Sequence, residues 1–383
     1  VRADGTWATN AGNIEAKAQG TVTLSATAVD AAGNSTASAV TSTQLSHDSV
    51  GAVVSDVNAI TSSASYNAGD VIDIEVVFDE AVTVTGSPQL TLETGTTDRV
   101  VDYVSGSGST KLLFKYTVQA GDNATDLDYV ATNSLALNGG TITDAAGNNA
   151  TLTLATPGDG NAGSLAHGDA IVIDTIDPVF GIAVSSAGAV INEVEDAATA
   201  GVATVTAENG ASWSVLLTGQ AGSVTKTGTG TGSSQAVQLT EDNVTTLGEG
   251  AVTVSGSATD TAGNIKSVAG TNLITIDTVG PTLYINDVLE GDNKANATED
   301  NDIIISGTSG GLEAGTTVTV TVTDSAGSAI NSLTATVRAD GTWATNAGNI
   351  EAKAQGTVTL SATAVDAAGN STASAVTSTQ LSH

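Results

Sequence analysis

The chain has 383 residues with no cysteine or methionine, and its 41 acidic against 10 basic side chains leave a formal charge of −31. That sign excludes nucleic acid and anionic lipid as charge-driven partners, and the missing cysteines exclude disulfides and thiolate metal sites together. An oxygen-seeking divalent cation, Ca2+, is the natural counter-charge, and it can staple small domains that lack disulfides. Aromatic residues make up only 3% of the chain, so the cores fall to Val, Ile, Leu and Ala, and the Val and Thr content favours strands. At roughly 100 residues per β-sandwich the length fits three to four units. No run of about 18 apolar residues occurs and the first residues do not read as a leader, so nothing in this stretch is expected to enter or target a membrane.

Residues 1–47 recur letter for letter as 337–383, an offset of 336. Such an identity marks a duplicated array, and it makes 1–47 the second half of a domain whose first half is represented only by 278–336. Residues 48–177 form the longest unit. Its run 71–78 alternates, placing Ile72, Ile74, Val76 and Phe78 on a core face and Val71, Asp73, Glu75 and Val77 on the other. Further strands are predicted at 89–93, 99–104, 111–118 and 151–154, with Gly/Ser turns between them. In the unit 178–277, strands are predicted at 202–207, 212–217, 236–239, 251–258 and 273–276. The unit 278–383 carries a strand at 302–306, the run 316–323 with Val318, Val320 and Val322 inward, and a return at 333–338. Residues 350–355 have room for one helical turn. Short strands punctuated by turns give an all-β chain of tandem Ig-like β-sandwich domains in an elongated array. Trp213 and Trp343 are expected as core or strand-edge fillers.

One phrase, Asp-x-Ala-Gly-Asn, begins at Asp30, Asp144, Asp260 and Asp366, at spacings of 114, 116 and 106 residues. Its Gly suits the positive φ of a tight turn, and its Asp and Asn can hydrogen-bond the turn or offer oxygen to a cation. A second acidic phrase stands at the unit boundaries: Asp48, then Asp174-Thr-Ile-Asp177-Pro178, then Asp277-Thr-Val-Gly-Pro281. Solvated turns are the plain reading of any such carboxylate; their clustering at boundaries favours metal.

Residues 278–383 combine Asn286-Asp287, Glu299, the Gly315-Thr-Thr-Val-Thr-Val run, Ala339-Asp-Gly-Thr-Trp343 and Ala362-Thr-Ala-Val-Asp-Ala-Ala-Gly-Asn370. Residues 66–148 add Phe78-Asp-Glu-Ala-Val82, Pro88-Gln-Leu-Thr-Leu92 and Leu113-Phe-Lys-Tyr-Thr-Val118. Through these the chain resembles the bacterial Ig-like repeats of giant biofilm-associated surface adhesins exported by type I secretion. The resemblance implies a secreted segment at the bacterial cell surface, a stalk role, neighbouring repeats of the same long chain as partners, and Ca2+ at the domain junctions. A Ca2+ ion takes six to eight oxygens. By analogy the ligand sets are Asp30, Asp48 and Asp70 near residue 48; Asp144, Asp174, Asp177, Glu193 and Glu195 near 177; and Asp260, Asp277, Asn286, Asp287, Glu299 and Asp300 near 277. The Gly-Gly-x-Gly-x-Asp repeats that close such adhesins are absent here.

Two other roles compete with the stalk: a subunit of a self-assembling extracellular filament or layer, in which other copies complete 1–47, and a module that binds glycan or a host surface through 48–177. Catalysis has little support. The three histidines are His47, His167 and His383, and none sits in a nucleophile motif. Asp79-Glu80 and Glu193/Glu195/Asp196 imitate a glycosidase carboxylate pair without an aromatic-lined cleft. Thr317, Thr319 and Thr321 form the face that any half-exposed strand prefers.

Overall fold

A computed structural model describes residues 2, 5–9, 12, 19–36, 45–184, 190–192, 201–286, 294–295, 303–348, 356–372 and 375–381. The described elements are strands with one short helix, in two units: Val1–Ile176 with Thr261–Asn264, and Asp177–Asp260 with Ile265–His383.

In the first unit the alternating run becomes the strand Val71–Thr85, and Ile72, Ile74, Val76 and Phe78 are buried as the period-two pattern requires. The strand runs seven residues beyond the sequence reading because its pairing changes along its length. Val71–Val77 pairs with Lys111–Thr117, the register shifts between Val77 and Val82, where Val82 pairs with Ser109, and Thr83–Thr85 then pairs with Thr141–Thr143. Gln89–Glu93, Arg99–Ser105 and Val54–Ala59 complete the framework. Residues 151–154 supply only a bridge from Thr151 to Val53, not a strand. A core of 22 buried side chains lies beneath, including Leu90, Leu92, Leu112, Phe114 and Leu127. It also holds one polar network: buried Asp122 accepts from Arg99 Nη2 at 2.7 Å, the Tyr116 hydroxyl at 2.7 Å and the Gln119 N–H at 3.0 Å.

The second unit holds two separate cores. One is lined by Trp213, Val215, Leu217, Val252, Val254 and Ile274, under the five-stranded order Val190–Ile191, Ile265–Ile276, Gly250–Thr259, Ser212–Thr218, Ser223–Thr229. The strands Phe180–Val184 and Ser223–Thr229 were not anticipated, and neither was the helix Glu241–Leu247. That helix is nucleated by a capping box in which Thr240 accepts from the Asn243 N–H, and it buries Val244 and Leu247. The other core is lined by Val318, Val320, Val322, Val358, Leu360 and Trp343. Trp343 reaches full burial because Gly307 faces it across the sheet: a Cβ there would come within 2.2 Å of the indole. Residues 350–355, where a helical turn was allowed, lie outside the described residues.

One pairing recurs in both units. Ala64–Tyr66 runs parallel to Ile171–Ile173, Val190–Ile191 parallel to the end of Ile265–Ile276, and Lys294–Ala295 parallel to the end of Ala375–Leu381. Each pair lashes the start of a sandwich to its last strand.

The 47-residue duplicate gives an internal control. Trp343, Leu360 and Ala364 are 0%, 0% and 5% exposed, whereas Trp7 and Leu24 are 60% and 50% exposed and Ala28 is exposed. The register differs too. Gly356 pairs with Leu381, but its counterpart Gly20 pairs with His47, two residues beyond Leu45. A slip of two preserves the face each side chain occupies.

Candidate metal centre

The recurring phrase folds as an aspartate-capped turn. Asp144 Oδ1 accepts from the Ala146 and Asn148 N–H groups, both at 2.8 Å, and Oδ2 from the Asn148 amide at 2.7 Å. Asp30 makes the same three bonds at 2.9 Å each, and Asp366 accepts from Asn370 through both oxygens. Gly147 and Gly369 sit at φ of 92° and 97°, where only glycine is free of strain. Burial pushes the Asp144 carboxyl up, but the bonds from the Asn148 side chain and the turn backbone outweigh it and hold the group below the usual carboxylate range. Asp144 is therefore a fixed anion at 3% exposure.

The asparagine of the turn has a second task. Asn148 Nδ2 donates to the Asp48 carbonyl at 3.3 Å, Asn264 Nδ2 to the Asp174 carbonyl at 3.0 Å, and Asn370 Nδ2 to the Asp277 carbonyl at 2.8 Å. Each turn thus grips the linker aspartate about one repeat upstream in sequence, at its own sandwich's leading end. Sequence spacing grouped Asp144 with Asp174 and Asp177, and Asp260 with Asp277. The structure moves each turn by one junction, and it brings in Asp366 for Asp277. The reason is strand parity: a turn lies at one end of a sandwich or the other according to how many strands precede it, and spacing does not count them. Close approach reinforces the grip, since a Cβ on Gly51 would meet the Asn149 carbonyl oxygen at 1.9 Å and one on Gly280 the Ser371 oxygen at 2.7 Å.

Around Asp48 the grip concentrates charge. Carboxylate oxygens of Asp48, Glu80 and Asp144 lie within 4.8 Å of one another, and no basic side chain pairs with them among the described residues. Glu80, which was not among the expected ligands, comes from Val71–Thr85 just where its register shifts. Burial first, then the charges of Asp48, Asp144 and Asp79, raise its carboxyl above the ordinary value. Three hard oxygen donors with unbalanced charge suit Ca2+, and further oxygens from carbonyls or water would complete its shell.

Among the described residues, no third acid joins the group at the other leading ends. Val53 and Asp79 exchange backbone and side-chain bonds, Val179 and Glu208 do the same, and Thr282 pairs with Gly310. Val53, Val179 and Thr282 each lie five residues after their linker aspartate, so Asn209 and Gly311, each one residue past the partner strand's paired residue as Glu80 is past Asp79, are the counterparts of Glu80. The remaining expected ligands are spread out. Asp30 is exposed in its own turn, Asp70 caps the Asn67 N–H, Asp174 caps the Ile176 N–H, and Asp177 faces Lys266 at 3.5 Å. Asp277 takes a second, 3.4 Å contact from Asn370, and the Asn286 N–H bonds the Ser306 carbonyl. Glu193, Glu195, Asp287, Glu299 and Asp300 lie outside the described residues.

No family model matches the sequence, and no curated protein matches it. Solved structures do. A Ca2+-stabilised adhesin with which an Antarctic bacterium reaches out and binds ice is 23% identical, over 95% of this chain and 82% of its own, with a TM-score of 0.43. The tetra-tandem repeat in the extending region of a large adhesion protein is 19% identical over 96% and 83%, with a TM-score of 0.31. An Ig-like domain of the M. primoryensis ice-binding adhesin is 27% identical over 27% of this chain and 98% of its own, with a TM-score of 0.21. The chain is similar to the tandem Ig-like repeats of large bacterial adhesins.

Proposed function

We propose that this chain is a stretch of an extracellular, cell-surface stalk: tandem Ig-like sandwiches that set distance mechanically, with Ca2+ held by Asp48, Glu80 and Asp144 stiffening the leading end of the 48–177 sandwich. The observation that carries this reading is the three-carboxylate cluster, in which one acid comes from the linker, one from a core strand and one from the turn that grips the linker. A bound cation supplies the missing positive charge. The chain's own residues do the rest: Asn148 fixes the linker backbone, Asp144 is already ionised, and Glu80 ties the linker to the framework of the core. The acidic surface keeps neighbouring stalks apart in solution.

Calorimetric titration with CaCl2 tests the reading. The wild-type chain binds Ca2+, and Glu80→Gln weakens binding at the tightest site by about tenfold or more. Because Glu80 is repelled by its acidic neighbours when no cation is present, the metal-free melting temperature of Glu80→Gln is not lowered. Undiminished binding by Glu80→Gln would remove Glu80 from the site.

A further inference from the structure

We infer that the sandwiches also interlock through an asparagine that reaches forward into the next Asp-x-Ala-Gly-Asn turn, making a joint that needs no metal. This rests on the stalk reading and names the partner of each junction: the turn of an adjacent repeat. In the second unit, Asn192 Nδ2 donates to the Ala368 carbonyl at 2.8 Å, inside the turn 366–370. The amide occupies the space a side chain on the turn glycine would need, for a Cβ on Gly369 would stand 2.8 Å from Asn192 Nδ2. The first unit repeats the geometry, because a Cβ on Gly263 would stand 2.9 Å from Asn67 Nδ2.

The two asparagines occupy one structural step. Tyr66 closes the parallel pair with Ile173 and its carbonyl accepts from the Asp174 N–H; Ile191 closes the pair with Ile276 and accepts from the Asp277 N–H. Asn67 and Asn192 follow directly, so each stands opposite the linker aspartate that leads away from its own sandwich. After the third parallel pair, Ala295 with Leu381, the next residue in the sequence is Asn296. Among the described residues, no atom stands within 4 Å of a built Cβ on Gly33 or Gly147, so those two turns show no such amide.

The joint is reciprocal. Asn192 donates into the turn, and the asparagine of that turn, Asn370, donates back to the carbonyl of Asp277, the residue that links the two sandwiches. One amide bond ends on the turn at Ala368 and the other on the linker at Asp277, and the donors and carbonyl acceptors of both are uncharged, so neither salt nor chelator removes them. This joint is found where the counterparts of Glu80 are Asn209 and Gly311, positions that offer no third carboxylate.

The absence of native cysteine permits a direct test with spin labels at Ser234→Cys and Thr334→Cys, both exposed, one on each side of the joint. Distances are read by double electron–electron resonance in EDTA. Asn192→Ala and Asn192→Asp are each expected to widen the distance distribution about twofold while unfolding midpoints hold, since both remove the donor and neither opens a core. A distribution as narrow as that of the parent in either folded variant overturns the proposal. Comparison of the parent in Ca2+ and in EDTA reports separately on the metal, so failure of the stalk's calcium leaves this result readable. Should Asn192→Ala unfold a sandwich, the isosteric Asn192→Asp decides.

Discussion

In the 383-residue chain held monomeric, amides from Val22 to Asp30 exchange roughly a thousandfold faster than those from Val358 to Asp366, although the two segments are identical in sequence. The expectation follows from burial alone. Leu360 and Trp343 have the residues of 278–336 against them, and their counterparts Leu24 and Trp7 are half or more exposed. Covering that face is worth roughly 25 cal/mol per Å² of apolar surface, and the two copies also differ in strand register by two residues. A half-sandwich like 278–336 is the surface that would restore protection, whether the same long chain or a neighbouring copy supplies it. Equal protection of both segments, measured by amide exchange in a demonstrated monomer, would contradict this account.

Arg99→Met should destabilise the 48–177 core by about 3–5 kcal/mol, because it leaves the Asp122 carboxylate buried without its cation. Melting would then fall by roughly 10–20 °C. The pH dependence has a definite sign. Burial pushes the Asp122 carboxyl up, but the bonds from Arg99, Tyr116 and the Gln119 N–H outweigh it and bring it below its usual 3.8. The folded value is depressed, so the stability it contributes is complete above the ordinary value and is lost as pH falls through the folded one. Thermal melts between about pH 5 and pH 2 should show that loss in the wild-type chain, and Asp122→Asn should flatten it. An Arg99→Met chain that melts with the wild type would make the network ornamental.

The fold was legible wherever a single face of a strand was buried. Ile72 through Phe78 and Val318 through Val322 wrote their alternation into the sequence, and the strands followed. Ser223–Thr229 and the helix Glu241–Leu247 were not legible. The first carries only Ser and Thr on its outward side, with Lys226 and Gly228 interrupting the other, and is held by its neighbour's pairing; the second owes its existence to one cap and two buried contacts. The parallel pairs that lash each sandwich shut join residues about a hundred positions apart, and no local pattern announces them.

The site was legible in its chemistry and not in its assembly. Asp48 and Asp144 were recognised as acids that could hold Ca2+, but in different junctions; the Asn148 bond to the Asp48 carbonyl is what unites them. Glu80 was visible only as a neighbour of Asp79 in the phrase Phe78-Asp-Glu-Ala-Val82. Its role depends on a register shift between Val77 and Val82, which the alternating letters do not reveal. Asn67 and Asn192 carried no signal as individual residues. Aligning the sequence on its linker aspartates and reading back to the parallel strand would have found them.

The most direct measurement of the central claim is small-angle X-ray scattering of the wild-type chain in CaCl2 and then in EDTA. Stiffening by Ca2+ at Asp48, Glu80 and Asp144 predicts a larger maximum dimension, or a narrower spread of dimensions, when the ion is present, with the difference abolished in Glu80→Gln. Superimposable wild-type profiles in the two buffers would contradict it.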